Sequence, residues 1–389
     1  MNIIDMQSLI SYTIENNKKL ATKRKSPIAI NVIGESGIGK TDAIRQVCSN
    51  LNMQFIEIDL SGREDVGDLL GLPIEKFEMC MPGSTVCEWI PSTLIPYYQS
   101  KGYLFTGKNR MEYSIPKTMM IESNNPIVFY ADDYNRSTAS ILQAMMTLMK
   151  DGKINNWELP KGSTVITSSN PDDGEYHVQS VDDAHSTRSL DIEVDFDFST
   201  WLDNYGLKNV DDRGVSFLVN YKEELERKKF KDVNIRLWSM FFDQISGIKD
   251  WDTNLALILN IMSKKQFKGY VELFIQFISS RMDKIPTLKD LFSNDWESVK
   301  KELIVICKDR LDVVTIIKEK LVSFGTILKK DDVNFKEKCD RLNQFISLTE
   351  VFPNDLLWNI VVKLSNNTDI PLEVYDECFD RLRRLKNKK

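Results

Sequence analysis

The sequence predicts an α/β domain with a mostly parallel sheet, followed by an all-helical region. Five short apolar runs of buried-strand type alternate with helical patterns up to about residue 198. After Asp197 the strand-like runs end and long amphipathic helical patterns take over. Alternation of strands and helices is typical of a parallel sheet with helices on both faces. We therefore predict an α/β domain over residues 1–198, a helical region over 199–260 and a C-terminal helical domain over 261–389.

The individual elements follow from the spacing of apolar residues along the chain. Residues 5 to about 25 have apolar residues at helical spacing, and Pro27 ends that pattern. Further helical patterns cover 42–51 and 138–150. Because helical patterns separate several of the strand-like runs, we expect those strands to lie parallel. The five runs cover residues 27–33, 55–60, 127–131, 164–167 and 190–196.

A long connection rich in aromatic residues lies between Gly71 and Ile127. Aromatic side chains at this density are common on surfaces that bind a partner or a substrate. The same composition is also found where side chains pack under a long loop. The sequence leaves both interpretations open.

The composition is that of a globular protein outside the membrane. Of the 389 residues, 42% are hydrophobic and 28% are charged. No run approaches the roughly 18 consecutive apolar residues of a spanning helix, and the first residues lack the apolar segment of a signal peptide. We therefore expect a cytoplasmic protein.

The six cysteines are scattered, and none forms a C-x-x-C pair. The chain has only two histidines, His177 and His185. This excludes the common zinc patterns and gives no cysteine–histidine pair for nucleophilic catalysis. In a cytoplasmic protein we expect these cysteines to be reduced thiols, most of them in the core.

The net charge of −6 is unevenly distributed along the chain. Residues 251–389 carry 24 basic and 21 acidic residues, so the remaining 250 residues carry 27 and 36. Six of the basic residues lie in the last nine positions, 381–389. Such a tail fits either a solvated helix end or a contact with nucleic acid. Nucleic-acid binding is the less favoured interpretation.

A glycine-rich segment directly follows the first predicted strand and precedes a helix. It matches the phosphate-binding pattern G-x-x-x-x-G-K-[ST] in the strand–loop–helix context that this pattern requires. Its glycines allow backbone N–H groups to surround phosphate, and the positive end of the helix strengthens the attraction. We predict ATP binding here, with Lys40 at the β- and γ-phosphates and Thr41 on Mg²⁺. The segment consists of Gly34, Glu35, Ser36, Gly37, Ile38, Gly39, Lys40 and Thr41.

Two carboxylates end the strand-like run at residues 127–131. Asp132 and Asp133 follow four large apolar residues and an alanine. A phosphate-binding loop of this type needs an acidic residue at the end of a neighbouring strand to hold the magnesium ion. We predict that Asp132 is that residue, and that Asp133 orients and deprotonates the attacking water.

These segments together resemble MoxR-type AAA+ ATPases, a group that includes the dynein-related, midasin-like ATPases. The resemblance covers about residues 25–275, and its motifs occur in the family's order. Besides the glycine-rich loop, the matching segments are 62–73 after the second strand, Asp132–Arg136 with the helix over 137–149, the hairpin over 152–162, Ser168–Pro171 with Tyr176 and 182–188, and Val233–Trp238.

The resemblance implies roles for three further residues. Asn170 corresponds to the sensor-1 residue, which holds the attacking water beside Asp133. Arg188 corresponds to the arginine finger, which contacts the γ-phosphate bound by the neighbouring subunit, and Arg136 is a rival for that role. Arg236 corresponds to the sensor-2 arginine of the helical lid, which the family places at residues equivalent to 199–260.

The chain departs from the family at Asp133, where the family usually has Glu. An aspartate carboxylate lies one methylene further from the γ-phosphate. We therefore expect ATP hydrolysis to be slow or to need another base.

By this resemblance the protein is an ATP-hydrolysing ring, expected to be a hexamer, that remodels or activates a partner protein. A protein with a von Willebrand factor A-type domain is the expected client. Two other functions stay open: a nucleic-acid-associated motor in replication or packaging, and an ATP-dependent assembly switch that does not hydrolyse. The Lys-, Asn- and Ile-rich composition suits a bacterial or phage gene.

Overall fold

The chain divides into two compact units, Met1–Phe196 and Asp197–Lys389. The computed structural model describes residues 1–63, 65–114, 124–154, 157–172, 187–227, 233–263, 266–293 and 295–375. The basic tail at 381–389, both histidines, Tyr176 and the segment 182–186 lie outside the described residues. The predicted division of the helical region at residue 260 stays a prediction.

The first unit contains the predicted strands and helices, and further strands lie between Gly71 and Ile127. Its helices are α1 (Ile3–Thr22), α2 (Lys40–Asn50), α3 (Gly67–Leu70), α4 (Ile95–Ser100) and α5 (Ala139–Asp151). Its strands are β1 (Ala29–Ile33), β2 (Gln54–Asp59), β3 (Leu72–Cys80), β4 (Cys87–Pro91), β5 (Leu104–Ser114), β6 (Ile127–Asp132), β7 (Lys153–Ile154), β8 (Trp157–Glu158), β9 (Thr164–Ser169) and β10 (Ser189–Glu193).

The main sheet has five strands in the order β10-β1-β9-β6-β2. Every pairing within it is parallel. The strand that precedes the glycine-rich loop therefore lies inside the sheet, between β10 and β9. The predicted fold class, a five-stranded parallel α/β sheet followed by helices, is confirmed.

Helices cover the two faces of this sheet because side chains alternate along each strand. On β6, Ile127 and Phe129 join a core cluster with apolar residues of α5. The alternate residues Val128 and Tyr130 join the opposite cluster, which contains apolar residues of α1 and α2. Both faces of the central strands are buried, and the site lies where these strands end.

The aromatic-rich connection after Gly71 forms a second sheet. Strands β4, β3 and β5 are antiparallel, in the order β4-β3-β5. Large apolar side chains remain exposed on it, among them Leu72 (68% exposed), Leu104 (63%) and Met111 (58%). Between Leu72 and Ser114 the connection thus contains a three-stranded sheet rather than an irregular loop.

The state of the cysteines differs in part from the sequence prediction. Cys80 and Cys87 lie opposite each other on β3 and β4 and form a disulfide with their Cα atoms 4.4 Å apart. The pairing of the two strands brings together two residues that six positions separate in the sequence. Cys48, Cys307 and Cys339 are buried free thiols, as expected.

A short antiparallel hairpin formed by β7 and β8 precedes β9. It lies within residues 152–162, where the sequence predicts a hairpin. Its two strands have two residues each.

The described residues of the second unit contain helices and no strands. An aromatic core holds it together, with Phe217 packed against Trp238, Phe242 and Phe274. Among the described residues, no helix of the chain has the length and apolar character needed to cross a membrane. The α-helices of this unit are Phe198–Trp201, Leu207–Asn209, Asp212–Asn220, Lys222–Arg227, Ile235–Ile245, Leu255–Met262, Val271–Ser279, Leu288–Ser293, Trp296–Ile306, Leu311–Ile327, Phe335–Ser347 and Asn354–Leu364.

Candidate functional site

The glycine-rich loop connects the carboxyl end of β1 to the first residue of α2. Gly37 and Gly39 have φ angles of 85° and 96°, in the left-handed region that favours glycine. At Gly34 a Cβ atom would lie only 2.6 Å from the carbonyl oxygen of Val194. These three glycines therefore make the tight turn possible, and α2 starts with its N-terminal N–H groups directed at the loop.

Lys40 is the first residue of α2 and is buried, with 8% of its surface exposed. Its Nζ donates hydrogen bonds to the carbonyl oxygens of Gly34, at 2.5 Å, and Glu35, at 3.0 Å. The ammonium group is therefore held over the loop by backbone carbonyls. Glu35, Ser36 and Ile38 complete the loop, with Ile38 packed into the core cluster of α1 and α2.

Thr41 and Asp132 meet where β6 ends beside α2. The Thr41 hydroxyl lies 3.2 Å from Oδ2 of Asp132 and 3.0 Å from the hydroxyl of Tyr130. Oδ1 of Asp132 accepts hydrogen bonds from the Tyr130 hydroxyl at 2.9 Å, from the backbone N–H of Asp133 at 3.0 Å and from the Ser168 hydroxyl.

These hydrogen bonds keep Asp132 ionised. Burial raises the pKa of its carboxyl group, but hydrogen bonds from Ser168, Tyr130 and the Asp133 N–H outweigh burial and leave the pKa below its ordinary value. Burial, followed by the charge of Asp132, raises the pKa of Tyr130. A carboxylate and a neutral phenol therefore face Thr41.

Asp133 and Asn170 form a second contact at the adjacent strand ends. Asp133 has a left-handed backbone conformation, with φ of 51°. Its Oδ1 accepts a hydrogen bond of 2.9 Å from Nδ2 of Asn170. Asn135 fixes the backbone of Asn170, since its amide binds both the N–H and the carbonyl of that residue, at 3.1 and 2.8 Å.

Arg136 is the second partner of Asp133. Its guanidinium lies 3.4 Å from Oδ2 of Asp133, and about half of its side chain is exposed. Arg136 therefore forms an ion pair with Asp133 of its own chain.

Arg188 lies away from the glycine-rich loop of its own chain. It immediately precedes β10, an edge strand whose first residue, Ser189, pairs with Ala29, the first residue of β1. The loop follows the last residue of β1. Five strand residues at roughly 3.3 Å each separate the two ends by about 16 Å.

Arg236 belongs to the second unit. It is the second residue of the helix Ile235–Ile245. Asn234 caps the N-terminus of this helix, because its side chain accepts a hydrogen bond from the N–H of Leu237. Its side chain is exposed, so it is available for a contact with an anion.

The predicted residues of the first unit thus fall into two groups. Lys40, Thr41, Asp132, Asp133 and Asn170 come together at the carboxyl ends of β1, β6 and β9, and Arg188 does not join them. Parallel α/β sheets bind ligands at this edge.

Sequence reasoning missed three residues of this site: Tyr130, Ser168 and Asn135. Alternation along β6 gave a signal for Tyr130, because residues 130 and 132 must lie on the same face of the strand. Ser168 and Asn135 bind groups on other segments, so only the folded chain identifies their partners.

The Thr41–Asp132 pair fits a magnesium ion. Mg²⁺ prefers oxygen ligands in an octahedron at 2.0–2.1 Å, so neighbouring ligands lie about 2.9 Å apart. The separation of 3.2 Å between Thr41 Oγ1 and Asp132 Oδ2 is close to that spacing. Both oxygens belong to ligand types that Mg²⁺ favours.

Comparison with known proteins adds little to this geometry. No family model matches the chain, and no curated protein matches it. Two mutant forms of RuvB from Thermotoga maritima are similar in structure: one at 9% identity and a TM-score of 0.33, covering 66% of this chain and 69% of that one, and the other at 10% and 0.33, covering 76% and 88%. A presumed ATPase from Cytophaga hutchinsonii is similar at 14% identity and a TM-score of 0.30, covering 91% and 82%. Similarities at this level carry no argument about activity.

Proposed function

We propose that the protein is an AAA+ ATPase of the MoxR type that binds ATP with Mg²⁺ at the loop Gly34–Thr41. The observation that carries this proposal is the assembly of Lys40, Thr41, Asp132, Asp133 and Asn170 at one sheet edge. A buried lysine, a hydroxyl, two carboxylates and an amide are the groups that phosphoryl transfer needs, in a position to act together.

The chain's own groups divide the work of binding. The N–H groups of the loop and of the first turn of α2 hold the phosphate oxygens, and Lys40 exchanges the loop carbonyls for the β- and γ-phosphates. Thr41 and Asp132 hold Mg²⁺, which neutralises charge on the phosphates when bound.

Asp133 is the proposed base for hydrolysis, and Asn170 its orienting partner. The hydrogen bond from Nδ2 of Asn170 to Oδ1 of Asp133 supports a water site between the carboxylate, the amide and the γ-phosphate. To act, the carboxylate has to reach a water one methylene further away than a glutamate would. Slow turnover is therefore part of the proposal.

Active sites completed between subunits are a further part of the proposal. Arg188 lies at the opposite end of the strands from its own loop, on an edge strand, which suits a guanidinium given to a neighbouring copy. We therefore propose a ring, most simply a hexamer, that uses ATP to remodel a client protein, with a von Willebrand factor A-type domain as the expected client. Arg236 is proposed to sense the phosphates from the helical lid.

The test is a mixing experiment. Lys40→Ala and Arg188→Ala proteins should each be inactive alone, and a mixture should regain part of the ATPase rate because mixed interfaces pair an intact loop with an intact arginine. The wild-type specific rate should also rise steeply with protein concentration. A monomer in sedimentation with a concentration-independent rate, or an Arg188→Ala protein with full turnover, would contradict the ring. Arg136→Ala is then the next variant.

A second candidate, an ATP-dependent assembly switch without hydrolysis, is favoured by one observation. Both carboxylate oxygens of Asp133 are engaged, one by Asn170 and one by Arg136. If ATP drives assembly while phosphate release stays at background in the same sample, the switch is the better description.

A nucleic-acid motor would require salt-dependent DNA binding that removal of residues 381–389 abolishes.

A further inference from the structure

Tyr130 lies between the two residues that the proposed function assigns to magnesium. Its side chain is fully buried and its ring stacks on Phe55, with centroids 5.7 Å apart. Its hydroxyl is within hydrogen-bond distance of Thr41 Oγ1 and of Asp132 Oδ1, at 3.0 and 2.9 Å. A single phenol therefore connects Thr41 to Asp132.

One arrangement of protons satisfies both hydrogen bonds of the Tyr130 hydroxyl. An ionised carboxylate can only accept, so the single proton of Tyr130 is donated to Asp132. The bond between Thr41 and Tyr130 must then be donated by Thr41, since the phenol has no second proton. The sequence of donors is Thr41 to Tyr130 to Asp132 Oδ1.

This arrangement matters for a cation. When Thr41 donates its proton to Tyr130, the lone pairs of Thr41 Oγ1 and the outer oxygen of Asp132, Oδ2, both remain available. Without the phenol, the remaining acceptor beside Thr41 is Asp132 Oδ2 itself, 3.2 Å away. The Thr41 proton would then occupy an oxygen that the cation needs.

We propose that Tyr130 is a positioning residue of the magnesium site, which accepts the Thr41 proton and so leaves Thr41 Oγ1 and Asp132 Oδ2 open to the cation. This inference rests on the proposed function and assigns it a further residue. Tyr130 contacts neither phosphate nor water in this scheme. Its effect is confined to the metal-dependent part of nucleotide binding.

The experiment measures binding rather than turnover. A fluorescent ATP analogue is titrated into wild-type, Tyr130→Phe and Tyr134→Phe proteins in EDTA, and Mg²⁺ is then titrated into the complexes. Tyr134→Phe is the matched control, since it removes a second buried phenol of the same segment and leaves the hydrogen bonds of Thr41 and Asp132 in place.

For Tyr130→Phe we expect the Mg²⁺ concentration at half-effect to rise about tenfold, the result of losing one hydrogen bond to a charged group. Affinity for the analogue in EDTA should be unchanged, because the loop N–H groups and Lys40 bind phosphate without the metal. Mn²⁺ bound to the ADP complex, followed by electron paramagnetic resonance, should weaken by a similar factor. The control variant should match the wild type in all three measurements.

Three results would overturn the inference. They are an unchanged Mg²⁺ requirement in folded Tyr130→Phe, an equal loss of affinity in EDTA, and an equal shift in Tyr134→Phe. Tyr130→Leu also lacks the hydroxyl, and should show the same Mg²⁺ shift if the phenylalanine variant is unstable. A wild-type protein that binds no nucleotide under either condition would instead overturn the proposed function.

Discussion

A buried lysine lies in each of the two units, and the two differ in what holds them. In the first unit, Nζ of Lys40 donates to the backbone carbonyls of Gly34 and Glu35. In the second, the fully buried Nζ of Lys320 is paired with the carboxylate of Asp212. Burial lowers the pKa of Lys320, and the charge of Asp212 opposes that shift.

The difference separates a ligand site from a structural ion pair. A phosphate can replace the neutral carbonyls of Gly34 and Glu35 as partners of Lys40, and this exchange leaves neither carbonyl as an unpaired charge. Separating Lys320 from Asp212 would leave an uncompensated carboxylate, which is costly inside a protein. Burial of a lysine therefore identifies a candidate binding residue only together with the nature of its partners.

The largest expected effect comes from Lys40→Ala. Two charge-assisted hydrogen bonds to phosphate are worth about 1.5–3 kcal/mol each, so ATP affinity should fall by at least about 100-fold. Stability should change by no more than about 1 kcal/mol, since the carbonyls of the loop can bind water instead. Calorimetric ATP titration and chemical denaturation measure both quantities. Wild-type ATP affinity in the variant would show that this loop is not the ATP site.

Lys320→Met should show the reverse pattern. Loss of a buried partner costs about 3–5 kcal/mol, and because Asp212 retains 21% exposure, we expect about 3 kcal/mol less free energy of unfolding. ATP affinity of the folded protein should equal that of the wild type. The double variant Lys320→Met, Asp212→Leu should recover most of the lost stability. Reduced ATP affinity in the folded single variant would contradict the purely structural role of Lys320.

Asp133 extends the comparison to carboxylates, since its partners are the side chains of Asn170 and Arg136. Asp133→Asn should keep ATP bound and lower turnover by about 100-fold, the lower range for a general base. Asp133→Glu should hold or raise the rate, because the longer side chain reaches further toward the γ-phosphate. Phosphate release under saturating ATP checks both. Hydrolysis by Asp133→Asn at the wild-type rate would show that Asp133 is not the base.

The smallest effect is expected from Arg236, the exposed arginine of the second unit. Arg236→Ala should weaken ATP by about tenfold and ADP much less, because only ATP offers a γ-phosphate for a contact worth roughly 1.5–3 kcal/mol. Parallel titrations with the two nucleotides measure the ratio. An equal loss for both would leave the second unit without a predicted role at the γ-phosphate.

The sequence alone determined the fold class and the polar end of the main sheet. Short, continuous apolar runs that alternate with helical patterns indicate buried parallel strands, because such strands have no solvated face. The loop Gly34–Thr41 could be recognised in the sequence because its function depends on local backbone conformation, which glycine permits. Asp132 and Asp133 could be predicted as site residues because they stand at the end of a buried strand.

Tertiary structure decided which groups those residues meet. Tyr130 became part of the candidate site because β6 lies two strands from β1, beside the start of α2. Cys80 and Cys87 met because the strands that carry them are antiparallel neighbours. The partners of Lys40 and Lys320 could not be told apart in the sequence, since Asp212 is 108 residues from Lys320. Contacts over such distances depend on packing, which local periodicity does not encode.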